Sequence, residues 1–186
     1  YGKNRFSGTI PAEHVGTIWA RTFMSVLVAS RLQFPAMSHG AMERICSEVK
    51  QWIDSRDIWK GKAIDIDAIE QGYLEMESMT EVVNTINQYL IGNNIDIGWK
   101  NNKYTALSLV AKSLSTDFMQ EVWEQWLELI GARGYQEKNM VRNFSEDARP
   151  FTIFEWNNPM LYAQVYREMV QKNAFPENHI RYNIVN

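Results

Sequence analysis

Three long stretches of this chain repeat apolar residues every three or four positions, a period that admits helices and little else. In the middle one, Ile66, Ile69, Tyr73, Met76, Val83, Ile86 and Leu90 fall on a single stripe. Asp65 or Asp67 suits its start, and Gly92-Asn93-Asn94 stops it. The next runs from about Tyr104 to Ile130 through Leu107, Ala111, Leu114, Phe118, Val122 and Trp126, and ends at Gly131. The earliest covers about 15–55 through Phe23, Leu27, Phe34, Met37, Ile45, Val49 and Trp52, with Pro35 expected to kink it or break it in two. After a helical turn near 140–144, a last helix is expected from about Asn158 to Lys172, before Pro176.

Four helical regions joined by modest loops predict an all-α, antiparallel up-and-down four-helix bundle. The strand signal is weak except at 95–97. Residues 1–13, with Gly2, Gly8 and Pro11 and no helical period, read as an extended lead-in to a bundle over 14–186. A start at Tyr1 in place of Met suggests a piece of something longer.

With 186 residues, 45% hydrophobic and 22% charged, the chain suits one domain with a sizeable core. Its net charge is −3 and its Lys and Arg are scattered, which argues against nucleic-acid binding. Cys46 is the one cysteine, so no intramolecular disulfide forms, and a reducing, cytoplasmic setting is expected. Ile45 and Val49 place it on a helix face as core filler. His14, His39 and His179 lie too far apart for a metal site of the usual spacing. No apolar run reaches membrane-spanning length; the stretch 23–29 is short and bracketed by Arg21 and Arg31.

One carboxylate stands in an unusual setting. Glu155 lies inside Pro150-Phe-Thr-Ile-Phe-Glu-Trp156, after the turn Gly131-Ala-Arg-Gly-Tyr135 and the cluster Glu146-Asp-Ala-Arg149. Between Phe154 and Trp156 its side chain is expected to be poorly solvated, the condition under which a carboxylate takes up protons near neutral pH.

The order of these elements resembles the C-terminal helical domain of the acyl-CoA dehydrogenases. Arg31, Gly40, Arg44, Trp52 and Arg56 resemble the family's first long helix, whose usual ending, Arg-x-x-Phe-Gly-Lys, reads here as Arg56-Asp-Ile-Trp-Lys-Gly-Lys62. Leu74-Glu-Met76 and Ala111-Lys112 are similar to steps of the next two helices. Glu128-Leu-Ile-Gly-Ala-Arg-Gly-Tyr135 resembles Gln-x-x-Gly-Gly-x-Gly-Tyr/Phe, Glu146-Asp-Ala-Arg149 resembles Arg-Asp-Ala-Arg/Lys, and Thr152-Ile-Phe-Glu-Trp-Asn-Asn158 resembles the Ile-Tyr-Glu-Gly-Thr/Ser box. Ile10-Pro-Ala-Glu13 is similar to the Val-Pro-x-Glu that closes the family's middle β domain.

The resemblance implies a C-terminal bundle without the N-terminal helical and β domains that supply most of the FAD site. It also implies FAD sites built across a subunit interface, and hence a homodimer or homotetramer formed through the bundle. The implied reaction is α,β-dehydrogenation of an acyl thioester, with Glu155 as the α-proton base and its backbone N–H as one donor to the thioester carbonyl. Ser30, Arg31 and Trp156 are implied at the substrate. Some members carry the base on the first helix, at the position of Ser30, which cannot serve. Arg56 is implied at the FAD diphosphate, though a helix-terminal arginine needs no ligand. Trp59 packs either on the cofactor or in the core, and Gly131-Ala132 either approaches the adenine end of FAD or simply caps a helix. Glu128, Asn157 and Asn158 occupy further cofactor positions.

Several residues depart from the pattern: Glu128 for Gln, Glu146 for Arg, Trp156 for Gly and Lys60 for Gly. They leave two readings. One is part of a dehydrogenase, inactive alone; the other is a dimerisation or assembly module with a degraded flavin site. Oxygen or nitroalkane chemistry on the same scaffold is disfavoured by the presence of Glu155.

Overall fold

A computed structural model describes residues 16, 23, 26–59, 61–93, 105–136 and 148–171. The lead-in 1–13, the weak strand at 95–97, the turn at 140–144, Lys60, Glu146, His14 and His179 lie outside the described residues.

Four long helices form an up-and-down bundle: α1 (Phe34–Ser55), α2 (Asp67–Gly92), α3 (Thr105–Ile130) and α4 (Asn158–Gln171). A shorter helical segment, 26–31, precedes α1. Helix α3 is central and packs on each of the other three, while α1 also packs on α2. The break foreseen near Pro35 falls two residues earlier, at 32–33. Pro35 then sits in the first turn of α1, where its missing N–H costs nothing.

Met42, Ile45, Val49 and Ile53 of α1 meet Tyr73, Met76 and Val83 of α2 and Met119, Val122 and Trp126 of α3 in one apolar core. Each fully buried side chain of this kind contributes about 1.5–3 kcal/mol. Cys46 lies in that core, its thiol against Thr80 Oγ1 at 3.4 Å, and burial raises its pKa. Phe23, Met37 and Ile66, expected on the buried stripes, are instead among the exposed apolar side chains.

Asp65 does not cap α2. Ile66 precedes the helix without a side-chain cap, Asp65 accepts a hydrogen bond from the Lys62 amide at 2.7 Å, and Asp67 lies in the first turn. Between α1 and α2 stands a small hairpin, β1 (Asp57–Ile58) with β2 (Gly61–Lys62), paired antiparallel and braced by Lys62 Nζ on Asp57 at 2.5 Å. Asn93 closes α2 by returning its Nδ2 to Tyr89 O at 2.8 Å. At the end of α3, Gly131 takes φ 64°, which glycine accepts freely, and starts a 3-10 turn, Gly131–Tyr135. Gly134 there lies so close to Leu127 and Trp126 that a Cβ would meet their side chains at 3.0 and 3.2 Å.

Candidate active site

The sequence Arg149–Thr152 winds a 3-10 turn that docks on α1 through Phe151, edge-on to Phe34 at 5.6 Å. The chain then turns sharply before α4. Glu155 and Trp156 are the two non-glycine residues with positive φ among those described, at 57° and 83°. Such angles cost of order 1–3 kcal/mol each and persist only where surrounding contacts fix them.

Those contacts come from two buried cations. Arg31, fully buried at the end of segment 26–31, donates from Nη2 to the backbone carbonyl of Glu155 at 3.0 Å. Lys112, fully buried on α3, donates from Nζ to the carbonyl of Trp156 at 3.3 Å and to Asn158 Oδ1 at 2.6 Å. Two successive carbonyls are thus each held by a charged donor on a different element.

The carboxylate of Glu155 faces the same way. Ser30 Oγ donates to its Oε1, and Arg31 Nε lies 3.6 Å from its Oε2. Ser30 Oγ also lies 3.0 Å from Val26 O, so its single proton has a second acceptor within its own helix. Oε2 is buried and accepts no hydrogen bond among the described residues; Arg31 Nε and Nη1 are likewise buried without a hydrogen-bond partner there. Burial lowers the pKa of the Arg31 guanidinium, and the Glu155 charge opposes that shift.

The environment differs from the aromatic one expected. Phe154 and Trp156 are 55% and 43% exposed, beside the reversed backbone at Glu155 and Trp156. Trp156 reaches back only to stack over Arg31, 5.7 Å from the guanidinium carbon. Glu155 is therefore surrounded by Ser30 and Arg31, with the aromatic flanks at its rim.

Asn157 and Asn158 work locally. Asn157 Oδ1 accepts the Met160 N–H at 3.2 Å, capping α4. Asn158 is 3% exposed and donates from Nδ2 to Thr116 Oγ1 at 2.8 Å and to Asp117 Oδ1 at 2.5 Å; Asp117 in turn accepts the Tyr162 hydroxyl at 2.6 Å. Burial, then Asp117, push the Tyr162 pKa up to about 12. Lys112, noted in the sequence only for the Ala111-Lys112 step, and Asp117, not noted there, thus complete a polar seam of the bundle. Their spacing on α3, five apart, carries no motif; the burial of Lys112 and the bonds that Asp117 accepts are what mark them.

The other anticipated residues gather elsewhere. Arg56 leaves α1 at its far end, and its guanidinium carbon stands 5.6 Å over the Trp52 ring. Arg133, in the turn opened by Gly131 and Ala132, stands 4.5 Å over the same ring. Among the described residues neither guanidinium is ion-paired, and two cations converging beside a positive-φ glycine fit a diphosphate. Trp59, at the hairpin tip, is 95% exposed, and Glu128 is exposed one turn before Gly131. Helix α1, with 22 residues, is about 33 Å long and separates this group from Ser30, Arg31 and Glu155. The anticipated residues therefore form two clusters, one at each end of α1.

Among the described residues no cluster of His, Cys, Asp and Glu could hold a metal, and no helix is long and apolar enough to cross a membrane. A family model described as "Acyl-CoA dehydrogenase, C-terminal domain" matches residues 20–170. The very long-chain specific acyl-CoA dehydrogenase, mitochondrial, of Rattus norvegicus is 23% identical over 155 residues, covering 82% of this chain and 23% of its own. Among solved structures, the acyl-CoA dehydrogenase from Geobacillus kaustophilus matches with a TM-score of 0.71 at 20% identity, over 79% of this chain and 38% of that one. Butyryl-CoA dehydrogenase from Megasphaera elsdenii matches with a TM-score of 0.70 at 17% identity, over 79% and 37%. These two likenesses are of fold. The chain spans 23% of the length of that curated relative and well under half of either structure.

Proposed function

The chain belongs to the acyl-CoA dehydrogenase family, through its C-terminal helical domain, and from that premise we propose that it carries the base of an FAD-dependent acyl-thioester dehydrogenase. The observation that supports this reading is the carboxylate of Glu155, mounted on a reversed turn with one oxygen tethered by Ser30 and the other without a hydrogen bond among the described residues. A tethered carboxylate is oriented, and an oxygen with free lone pairs can take a proton.

In this reading the Glu155 carboxylate removes the α-proton of the acyl thioester. Arg31 holds the turn and balances the carboxylate's charge, and Trp156 shields the site from one side. FAD, when bound, supplies the acceptor for the hydride that leaves the β-carbon, so the acyl chain becomes an enoyl thioester. Arg56 and Arg133, with Gly131, Ala132 and Trp59, would hold its phosphate-bearing part. Asn157 and Asn158 act on the site through the turn they anchor, and Glu128 borders the cation pair.

Because a single copy keeps the two clusters about 33 Å apart, a complete site calls for two copies, and we propose a homo-oligomer formed through the bundle. The chain alone then gives no turnover and holds little FAD. Cys46, a buried free thiol, is compatible with a cytoplasmic setting.

The test uses the full-length protein, read by flavin absorbance. Glu155→Gln should leave the flavin bound and slow its bleaching by acyl thioesters on the order of 10²–10⁴-fold, the range lost when a general base is removed. Bleaching at the wild-type rate would refute the base. A colourless protein that gains no thermal stability from FAD would favour the assembly module instead. That second reading draws on Trp156, whose indole occupies the side of the carboxylate where the family pattern has a glycine.

A further inference from the structure

Fixing a carboxylate on strained backbone requires donors that hold the strain, and the two donors here differ in kind. Arg31 keeps its charge at any ordinary pH. Lys112 does not share that constancy. Its ammonium is fully buried on α3, 5.8 Å from the Phe34 ring centre, with Nζ on Trp156 O and on Asn158 Oδ1.

We infer that Lys112 is a positioning residue for Glu155: from inside the bundle its Nζ clamps the reversed segment that carries the carboxylate, and loss of its charge lets that segment relax. This inference rests on the reading of Glu155 as the base.

Three charged groups act on Lys112, while α1 brings only the uncharged Phe34 ring and α4 a neutral hydroxyl. Asp117 comes from α3 itself, Arg31 from segment 26–31 and Glu155 from the turn, while Tyr162 of α4 is bonded to Asp117. Burial outweighs the rest and brings the lysine's pKa down to about 8; Asp117 and Glu155 resist the shift, and Arg31 adds to it. The clamp therefore changes charge at mildly alkaline pH. Above that point Nζ keeps two protons and loses its charge, so its bonds to Trp156 O and Asn158 Oδ1 fall from charge-assisted to neutral strength, roughly half. The φ of 83° at Trp156 is then the least supported angle in the turn. Its indole, stacked on Arg31, moves when the turn does.

The experiment follows that indole without turnover. In the full-length protein labelled with 5-fluorotryptophan, the Trp156 resonance is assigned from its loss in Trp156→Phe. In wild type it should shift with a single midpoint near pH 8. In Lys112→Met it should stay flat across the same range, and in Lys112→Arg, whose charge is permanent, it should hold the low-pH wild-type position. A Trp156 resonance that does not titrate near pH 8 in wild type, or that keeps its midpoint in Lys112→Met, overturns the inference. Should neither variant fold, the ¹³Cε signal of Lys112 in wild type decides: a midpoint shared with Trp156 supports the clamp, and a different one refutes it. A failed titration refutes the clamp and leaves the assignment of Glu155 standing, whereas an unaffected Glu155→Gln rate refutes the base, and with it the positioning role, whatever the resonance does.

Discussion

Asn157 and Asn158 stand side by side, and the structure gives them unlike tasks. The first caps a helix from an exposed position; the second is buried, and its amide joins Lys112 to Thr116 and Asp117. Asn157→Ala should cost about 1 kcal/mol, the usual loss for a cap. Asn158→Ala removes the shorter of two acceptors from a buried ammonium and a donor from Thr116 and Asp117, and should cost about 2–3 kcal/mol. Urea unfolding of the two variants checks the ordering, and equal losses would contradict it. Nothing in the sequence separates these neighbours, since both are asparagines ahead of a proline. The reversed angles at Glu155 and Trp156 were equally hidden: a run of aromatic residues reads as burial, yet Phe154 and Trp156 are exposed.

The elements themselves were written plainly. Ile69, Tyr73, Met76, Val83 and Leu90 repeat at helical spacing because one face of α2 meets α1 and α3, and the stripe was visible for that reason. Its edges were less so. Met37 and Ile66 fit the spacing by hydrophobicity, yet each sits near a helix start, where the neighbouring helix does not cover it. The hairpin at Asp57–Lys62 was missed because two-residue strands are too short to show alternation. Within α1, Gly40 is exposed, and a Cβ there would meet nothing within 4 Å. Gly40→Ala should therefore stabilise the protein by about 0.5–1 kcal/mol through helix propensity alone. A loss of stability by thermal unfolding would mean that another surface packs on that side of α1.

For the molecule as a whole, the polar seam couples stability to pH. Lys112 has an ordinary pKa of 10.5 and one of about 8 when folded. Between those values the unfolded chain binds more protons than the folded one, so this group's contribution to stability rises with pH. Below about pH 8 the cost of burying its charge is fully present; by pH 10.5 most of it is gone. The displacement corresponds to about 3 kcal/mol. Wild type should gain about 2–3 kcal/mol relative to Lys112→Met between about pH 7 and pH 10.5. Urea unfolding at both pH values checks the sign, and parallel profiles would refute it. The bundle was legible because its helices declare themselves in periodic apolar residues, whereas the seam was not: Lys112 and Asn158 stand out in the sequence only as parts of motifs, Asp117 not at all, and the bonds that join them appear only once their neighbours are known.

The length of α1 reaches beyond packing. With the carboxylate at one tip and the paired guanidiniums at the other, a copy in the proposed assembly lends each of its halves to a different cavity. A fault at Arg56 is then felt next door and one at Glu155 at home, so mixed assemblies of two differently damaged copies would still contain some intact cavities.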